Sequence, residues 1–312
     1  MKSLRFFLVA MTTALLFSAC GTTQTVPITG RKHKISSSQE QQVLSLSSQE
    51  YQKYLSSATK STNTKNTQMV TRVGKKLASA VETYLNNNGY ASEVKNFSWE
   101  FNLVQDTQAN AFCMPGGKIV VYEGLLAYAT SEDQLAVVLG HEIAHAVAKH
   151  SAEQYTKQQN QSTGLQIGSA ALGVLTGNSS ITNIATSAAS SLFSFANLKY
   201  SRDDELEADH MGIIFAAMAG YDPQTAIPFW QRMQTKSSSS TSDLLSTHPS
   251  DAKRIAALQK EMPEALKYYK PSTTTTSTTT TTTTKSTGKK TTTKTTTKTT
   301  TKTATKTSAK KK

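Results

Sequence analysis

The chain has 312 residues, of which 37% are hydrophobic and 18% charged, and its formal net charge is +13. Ten of the lysines fall after residue 271, in a segment without acidic residues, so most of the positive charge belongs to that segment. The charge therefore gives no reason to expect a nucleic-acid-binding domain, and no nucleic-acid partner is predicted.

Residues 1–19 have a basic start, an apolar run and a small-residue end, which is typical of a secretory signal peptide. The run is too short for a stable membrane span. Cys20 follows this segment directly. The end of the segment together with Cys20 resembles the bacterial lipobox, in which this cysteine is acylated, although Phe17 stands where Leu is commoner. A plain signal peptide is the alternative. By the same resemblance, Gly21 favours the outer membrane. With lipid on Cys20, Cys113 has no disulfide partner within the chain.

The next segments are a tether over residues 20–35 and one domain over residues 36–268. Apolar residues at helical spacing and capping residues predict most of the helices, while alternating apolar residues predict strands. The predicted class is mostly α with a small β-sheet. The predicted elements, in chain order, are a helix from Ser36, a helix over 69–85, strands over 99–103 and 118–122, a helix from Ser131, a mobile or loosely packed helical insert over 156–198, and helices over 202–219, 223–235 and 250–260.

The last segment, residues 269–312, consists almost entirely of threonine and lysine and is predicted to be a disordered tail. It has no periodic apolar pattern and therefore cannot bury a core. A solvated basic tail of this kind attracts anionic lipid or cell-wall polymer. A spacer or solubilising role is an equally good explanation of its composition.

Three residues of the helix after Ser131 form the strongest motif of the chain, His141-Glu142-x-x-His145. On a helix the two histidines lie roughly 40° apart around the axis and one turn apart along it, so both rings reach one ion. Glu142 is rotated by roughly 100° and stands beside that ion. This is the zinc hydrolase pattern, in which the glutamate deprotonates the metal-bound water.

The third ligand of a catalytic zinc ion lies elsewhere in the sequence. His150 would lie about 140° from His145 on a continuous helix, so it is interpreted as a structural residue at the helix end, beside terminal carbonyls or an acid. Glu205 is the better candidate. Asp209, one turn further, would accept the free N–H of a ligand histidine, whereas Glu207 would point to solvent.

Four motifs together resemble the HtpX-like and CAAX-prenyl-protease-like zinc endopeptidases of metallopeptidase family 48, in the gluzincin group. The motifs are His-Glu-Ile-Ala-His at 141–145, Ser-Arg-x-x-Glu-x-x-Ala-Asp at 201–209, Asn-Ala-Phe-x-x-Pro-Gly-Gly at 110–117 and Thr-His-Pro at 247–249. The resemblance covers residues 30–260 and implies an α+β zincin-like fold. It also implies one Zn²⁺ per chain, held by His141, His145 and Glu205.

The same resemblance gives a role to two further stretches. It implies that the strand after the Pro-Gly-Gly turn lies beside the cleft, and an exposed edge there would bind an extended peptide. Its residues are Lys118, Ile119, Val120 and Val121. It also implies that His248 lies close to the metal, where this histidine stabilises the oxyanion or occupies the open coordination position. A capping role before Pro249 is the alternative for His248.

The expected function is that of a zinc metalloendopeptidase that hydrolyses unfolded or misassembled proteins of the bacterial cell envelope. The resemblance implies the substrate class, and the motif around Cys20 implies an outer-membrane lipoprotein facing the periplasm. The competing hypothesis is a non-catalytic or chaperone-like zinc lipoprotein that binds cell-wall polymer or anionic lipid through its tail. A purely structural zinc site would have four protein ligands and would not require Glu142.

Overall fold

The computed structural model describes residues 23–161, 194–196, 198–237, 243–248 and 252–271. The signal peptide, Cys20, most of the insert at 156–198 and almost all of the tail lie outside the described residues. The strands are β1 (Thr23–Thr25), β2 (Lys32–Lys34), β3 (Glu100–Val104), β4 (Ala111–Met114) and β5 (Lys118–Tyr122). The helices are α1 (Ser37–Ser57), α2 (Thr64–Asn87), α3 (Ala91–Val94), α4 (Glu132–Val147), α5 (150–161), α6 (Arg202–Met218), α7 (Ala226–Ser237), α8 (Asp243–Thr247) and α9 (Ala252–Tyr268).

Serine residues cap the three helices that the sequence places most clearly. Ser36 and Gln39 form a capping box before α1, the side chain of Ser131 accepts a hydrogen bond from the Gln134 amide, and Ser201 forms a capping box before α6. Each serine satisfies an amide that the helix leaves unpaired at its N-terminus. The predicted class, mostly helical with a small sheet, is confirmed.

The three-stranded sheet has the order β3-β5-β4, with β3 parallel and β4 antiparallel to β5. The prediction of an exposed edge at Lys118, Ile119, Val120 and Val121 is therefore wrong, because β5 is hydrogen-bonded on both sides, to β3 and to β4. The error arises because β4 was not predicted: it is a short apolar run without alternation of apolar and polar residues. Among the described residues, no strand pairs with the outer edge of β4.

The hydrogen-bond pattern shows which backbone groups of β4 face that outer edge. The Tyr122 amide donates to the Asn110 carbonyl at 3.0 Å, so Asn110 and Phe112 face β5. Antiparallel pairs alternate in this respect, and the backbone groups of Ala111 and Cys113 therefore point away from β5.

The N-terminal residues form a hairpin instead of an extended tether. Strands β1 and β2 pair antiparallel, and the turn between them has positive φ values at Ile28 and Gly30. Val26 and Ile35 are fully buried, so burial of apolar surface fixes the hairpin to the rest of the protein. We refer to residues 23–34 as the N-terminal hairpin.

Helix α4 lies at the centre of the fold and packs against α6, α2 and β4. The contact with α6 is close because glycines face each other: a Cβ atom on Gly140 would lie 2.6 Å from the Gly212 carbonyl oxygen. The two helices that carry the candidate ligands therefore approach each other backbone to backbone. No helix in the described part of the chain combines the length and apolar character needed to span a membrane.

Candidate metal centre

Three histidine rings and one carboxylate converge between α4, α6 and α8. His141 and His145 extend from α4, Glu205 from the first turn of α6, and His248 follows α8 directly. Nε2 of His141 lies 3.1 Å from Nε2 of His145 and 3.2 Å from Nδ1 of His248. The Glu205 carboxylate oxygens lie 3.4 Å from Nε2 of His141 and 3.6 Å from Nε2 of His145.

These separations match the requirements of a single ion. Zinc bonds of about 2.0–2.1 Å in a tetrahedral site place ligand atoms roughly 3.3 Å apart. One ligand atom from each of His141, His145, Glu205 and His248 lies within 4.8 Å of every other, and all four residues are buried. Imidazole nitrogens and a carboxylate that face one point in a dry interior favour a cation there, and the nitrogen-rich set suits zinc. The residues therefore fit the metal that the sequence predicts.

Asp209 lies where the sequence predicts it, behind a ligand histidine. Its Oδ1 is 3.0 Å from Nδ1 of His141, so the ring donates its N–H and keeps the Nε2 lone pair for the cluster. Burial by itself lowers the pKa of His141, but the hydrogen-bonded carboxylates of Asp209 and Glu205 outweigh burial and raise this pKa to about 9. In the metal-free site His141 therefore holds a second proton at neutral pH, and a metal ion would displace this proton from Nε2.

Arg254 is a residue of the site that the sequence reading missed. It is buried in α9, its Nε and Nη2 donate to the two oxygens of Asp209 at 2.7 Å, and its Nη1 lies 2.7 Å from Glu205. Its guanidinium group also lies over the Trp230 ring, 4.5 Å from the ring centre. In the sequence, Arg254 is only a single basic residue on the apolar face of a helix. Basic residues are commonly solvent-exposed, so this one gave no reason to predict a place in the site.

His150 contacts the site through His145, whereas Asp209 contacts it through His141. Helix α4 ends at Val147, and Lys149 has a φ of 61°, so the chain turns before α5 begins at residue 150. The rotation of about 140° expected for a continuous helix therefore does not apply. Nδ1 of His150 lies 2.9 Å from Nδ1 of His145, and its Nε2 lies 2.8 Å from Glu207. The expectation that Glu207 faces solvent is wrong.

Glu142 is buried beside the cluster, and its Oε1 has no hydrogen-bond partner in the described structure. Nε2 of His248 lies 3.5 Å from that oxygen. Burial raises the pKa of Glu142 above its ordinary value, while His248, His141 and the backbone amide of Cys113 oppose that rise without cancelling it. A buried carboxylate with a raised pKa, beside convergent metal ligands, has the properties of a general base.

Comparison with known proteins agrees with this geometry. Residues 65–262 match the family described as Peptidase family M48. The chain belongs to peptidase family M48. This assignment confirms the predicted family and the predicted metallopeptidase class. The specific roles of His141, Glu142, His145, Glu205, Asp209 and His248 remain predictions.

Three of the proteins that the chain is similar to are all named as proteases. The chain is 36% identical over 181 residues to the mitochondrial metalloendopeptidase OMA1 of Arabidopsis thaliana, covering 57% of this chain and 35% of that protein. It is 36% identical over 177 residues to the Schizosaccharomyces pombe protein of the same name, covering 56% of this chain and 50% of that one. It is 30% identical over 188 residues to the Escherichia coli β-barrel assembly-enhancing protease, covering 55% of this chain and 37% of that one. The chain thus spans half or less of each relative's length.

Proposed function

We propose that this chain is a zinc-dependent endopeptidase that uses Glu142 as its general base. The observation that carries the proposal is the convergence of His141, His145 and Glu205 at ligand spacing, beside the buried carboxylate of Glu142, whose Oε1 has no hydrogen-bond partner among the described residues. A structural zinc site would have no use for that carboxylate.

Each residue has a definite task in this proposal. When bound, zinc supplies Lewis acidity to a water molecule and to the peptide carbonyl. Glu142 accepts the proton of the attacking water and delivers it to the leaving amine, and its raised pKa suits both transfers. Asp209 holds the His141 ring by its Nδ1–H, and Arg254 holds both Asp209 and Glu205.

His248 lies between a candidate ligand and the candidate general base, where the attacking water would have to bind. Its Nδ1 lies 3.2 Å from Nε2 of His141, and its Nε2 lies 3.5 Å from Glu142. This placement supports the interpretation that His248 takes the open coordination position in a resting state. Withdrawal of His248 would then admit water, after which the same ring could stabilise the oxyanion.

The outer edge of β4 replaces β5 as the proposed site for an extended peptide. The backbone groups of Ala111 and Cys113 point away from β5, and the Cys113 amide lies near Glu142. A peptide strand paired there would have its scissile bond beside the general base.

The proposed substrates are unfolded or misassembled proteins of the bacterial cell envelope. The name of the Escherichia coli relative, a β-barrel assembly-enhancing protease, supports this class. Residues 1–19 and Cys20 support an outer-membrane lipoprotein that faces the periplasm. The tail at 269–312 supports contact with anionic lipid or cell-wall polymer.

The test uses the purified chain as wild type and as Glu142→Gln, assayed for zinc content and for cleavage of casein. We expect one zinc per chain in both proteins and chelator-sensitive cleavage in wild type alone, because the amide cannot accept the water proton. His145→Ala is expected to lose both zinc and cleavage. Full activity in Glu142→Gln would refute the assigned base.

His248→Ala separates a latent protease from a non-catalytic binding protein. If wild type binds zinc without cleaving casein, a latent protease gains partial activity when His248 is removed, because the coordination position opens while the contact of the ring with the oxyanion is lost. A binding protein stays inactive in both forms, and that result would favour the competing hypothesis.

A further inference from the structure

The second face of the His145 ring makes a contact that the proposed mechanism does not use. Its Nε2 faces the ligand cluster, while its Nδ1 lies 2.9 Å from Nδ1 of His150. Both rings are fully buried, so no solvent competes for this contact. One of the two nitrogens must donate and the other must accept.

Glu207 decides which nitrogen donates. Its Oε2 lies 2.8 Å from Nε2 of His150, and an ionised carboxylate only accepts hydrogen bonds. The proton of a neutral His150 ring is therefore on Nε2, which leaves Nδ1 as an acceptor. His145 must then donate from its own Nδ1, so its Nε2 keeps the lone pair that a metal needs.

Glu207 is itself held by the N-terminal hairpin. Arg31 donates from Nε to Oε2 of Glu207 at 2.6 Å, and the Thr29 hydroxyl donates to Oε1. Arg31 also donates to Glu153 of α5 at 2.9 Å. A continuous series of hydrogen bonds therefore connects the hairpin turn to His145.

We propose that His150 is a positioning residue of the metal centre, which fixes the Nδ1–H tautomer of His145 and is oriented by Glu207, Arg31 and Thr29. His141 and His145 are then oriented in the same way, by Asp209 and by His150 respectively. This proposal rests on the zinc site proposed above and extends it to the N-terminal hairpin.

The test compares three substitutions of His150 by zinc affinity, measured in competition with a chromophoric chelator. Asn places its Oδ1 where Nδ1 was and still accepts from His145, whereas Gln reaches only toward Glu207 and Leu does neither. We expect His150→Asn to bind zinc within about threefold of wild type, and His150→Gln and His150→Leu to bind it about 10- to 100-fold more weakly. Arg31→Gln should show a smaller loss than His150→Leu.

The matched control uses a charged pair away from the cluster. Arg72 pairs with Glu132 at the surface. Arg72→Gln should leave zinc affinity unchanged. Thermal unfolding of the metal-free proteins reports on folding separately from metal binding.

The tautomer gives a second measurement that needs no substitution. Long-range ¹⁵N–¹H spectra of the metal-free wild type should show His145 protonated at Nδ1. The proposal is overturned if His145 is protonated at Nε2, or if His150→Leu and His150→Gln bind zinc as wild type does. If those variants bind zinc as wild type does, the role of His150 is refuted and the proposed zinc site is unaffected. If the wild type itself binds no zinc, both the zinc site and this proposal are overturned.

Discussion

At the scale of single residues, the acidic part of the site depends on one buried arginine. Arg254 lies within 2.7 Å of oxygens of both Glu205 and Asp209 and is 1% exposed. Burial raises the pKa of Asp209, but Arg254 and, to a smaller extent, His141 outweigh burial and the net pKa is lowered. Burial also raises the pKa of Glu205, but His248 and His141 outweigh burial, so this pKa is lowered as well. Both carboxylates therefore stay ionised in a dry interior, which is the form that a metal site requires.

Replacing Arg254 by Met should destabilise the protein strongly. It leaves two buried carboxylates without their counter-charge, and breaking one side of such a group costs roughly 3–5 kcal/mol. Urea unfolding of the metal-free variant measures this loss. Arg72→Met, at the exposed pair with Glu132, should unfold as wild type does. Equal midpoints for Arg254→Met and wild type would contradict the role given to Arg254.

A pH dependence follows from Glu207. Burial by itself raises the pKa of Glu207, but hydrogen bonds from His150, Thr29 and Arg31 outweigh burial and lower it to about 2. The folded state therefore binds the proton less readily than the unfolded state, whose pKa is about 4.3. The stabilisation is complete above the unfolded pKa and disappears as the pH falls through the folded pKa.

The comparison that isolates this effect is wild type against Glu207→Gln, both metal-free. Their difference in free energy of unfolding should be largest above about pH 5 and should shrink steadily from there toward about pH 2. Urea unfolding at pH 6, 5, 4 and 3 measures it. A difference that does not change with pH would show that Glu207 titrates alike in both states.

Sequence reasoning predicted the candidate ligands and one supporting residue, Asp209, but it missed Arg254 and the contact of His150 for a physical reason. His141, His145 and Glu205 follow from helical spacing and chemistry within short segments. Arg254 reaches the site from a helix distant in sequence, and His150 reaches it only because the helix breaks at Lys149. Contacts that depend on tertiary packing produce no local sequence pattern from which they could be predicted.

At the scale of elements, the site depends on the close contact between α4 and α6. A Cβ atom on Gly212 would lie 2.7 Å from the His141 backbone nitrogen, and one on Gly140 would lie 2.6 Å from the Gly212 oxygen. The neighbouring atoms belong to backbone, so they cannot move aside as a side chain would. The glycines therefore set the distance between His141 and Glu205.

Gly212→Ala should separate the two helices and lower both stability and zinc affinity. Overpacking of this kind costs typically about 1–3 kcal/mol, and the shift moves Glu205 away from the two histidines. Gly89→Ala is the control, because φ is 87° there and a Cβ atom meets nothing within 4 Å. It should lower stability through backbone strain and leave zinc affinity unchanged. Zinc affinity that is unaffected in Gly212→Ala would contradict this account.

Elements with capping residues and helical spacing were predicted well, and elements defined by their neighbours were not. Ser36 and Ser131 each mark the start of a helix in both the sequence and the structure. Strand β4 has no alternation to reveal it, because all four of its residues are buried. The position of β5 at the centre of the sheet could not be derived without β4.

At the scale of the whole molecule, the chain separates a nearly neutral metallopeptidase domain from a strongly basic end. The formal charge is +13, and the ten lysines after residue 271 are accompanied by no acid. Each basic residue near an anionic membrane contributes about 1 kcal/mol, and this attraction falls off within a Debye length of about 8 Å at physiological salt. The tail, rather than the domain, is therefore expected to carry any electrostatic binding.

Removing residues 272–312 tests this division of tasks. The full chain, purified without lipid on Cys20, should co-sediment with vesicles containing phosphatidylglycerol and be released in 0.5 M salt, as expected for a screened attraction. The shortened chain should remain in solution under both conditions, yet bind zinc and cleave casein as the full chain does.

Neutral phosphatidylcholine vesicles are the control for lipid binding of other kinds. Equal sedimentation of both chains with the anionic vesicles would move the binding surface to the folded domain, and a loss of cleavage on shortening would assign the tail a part in catalysis.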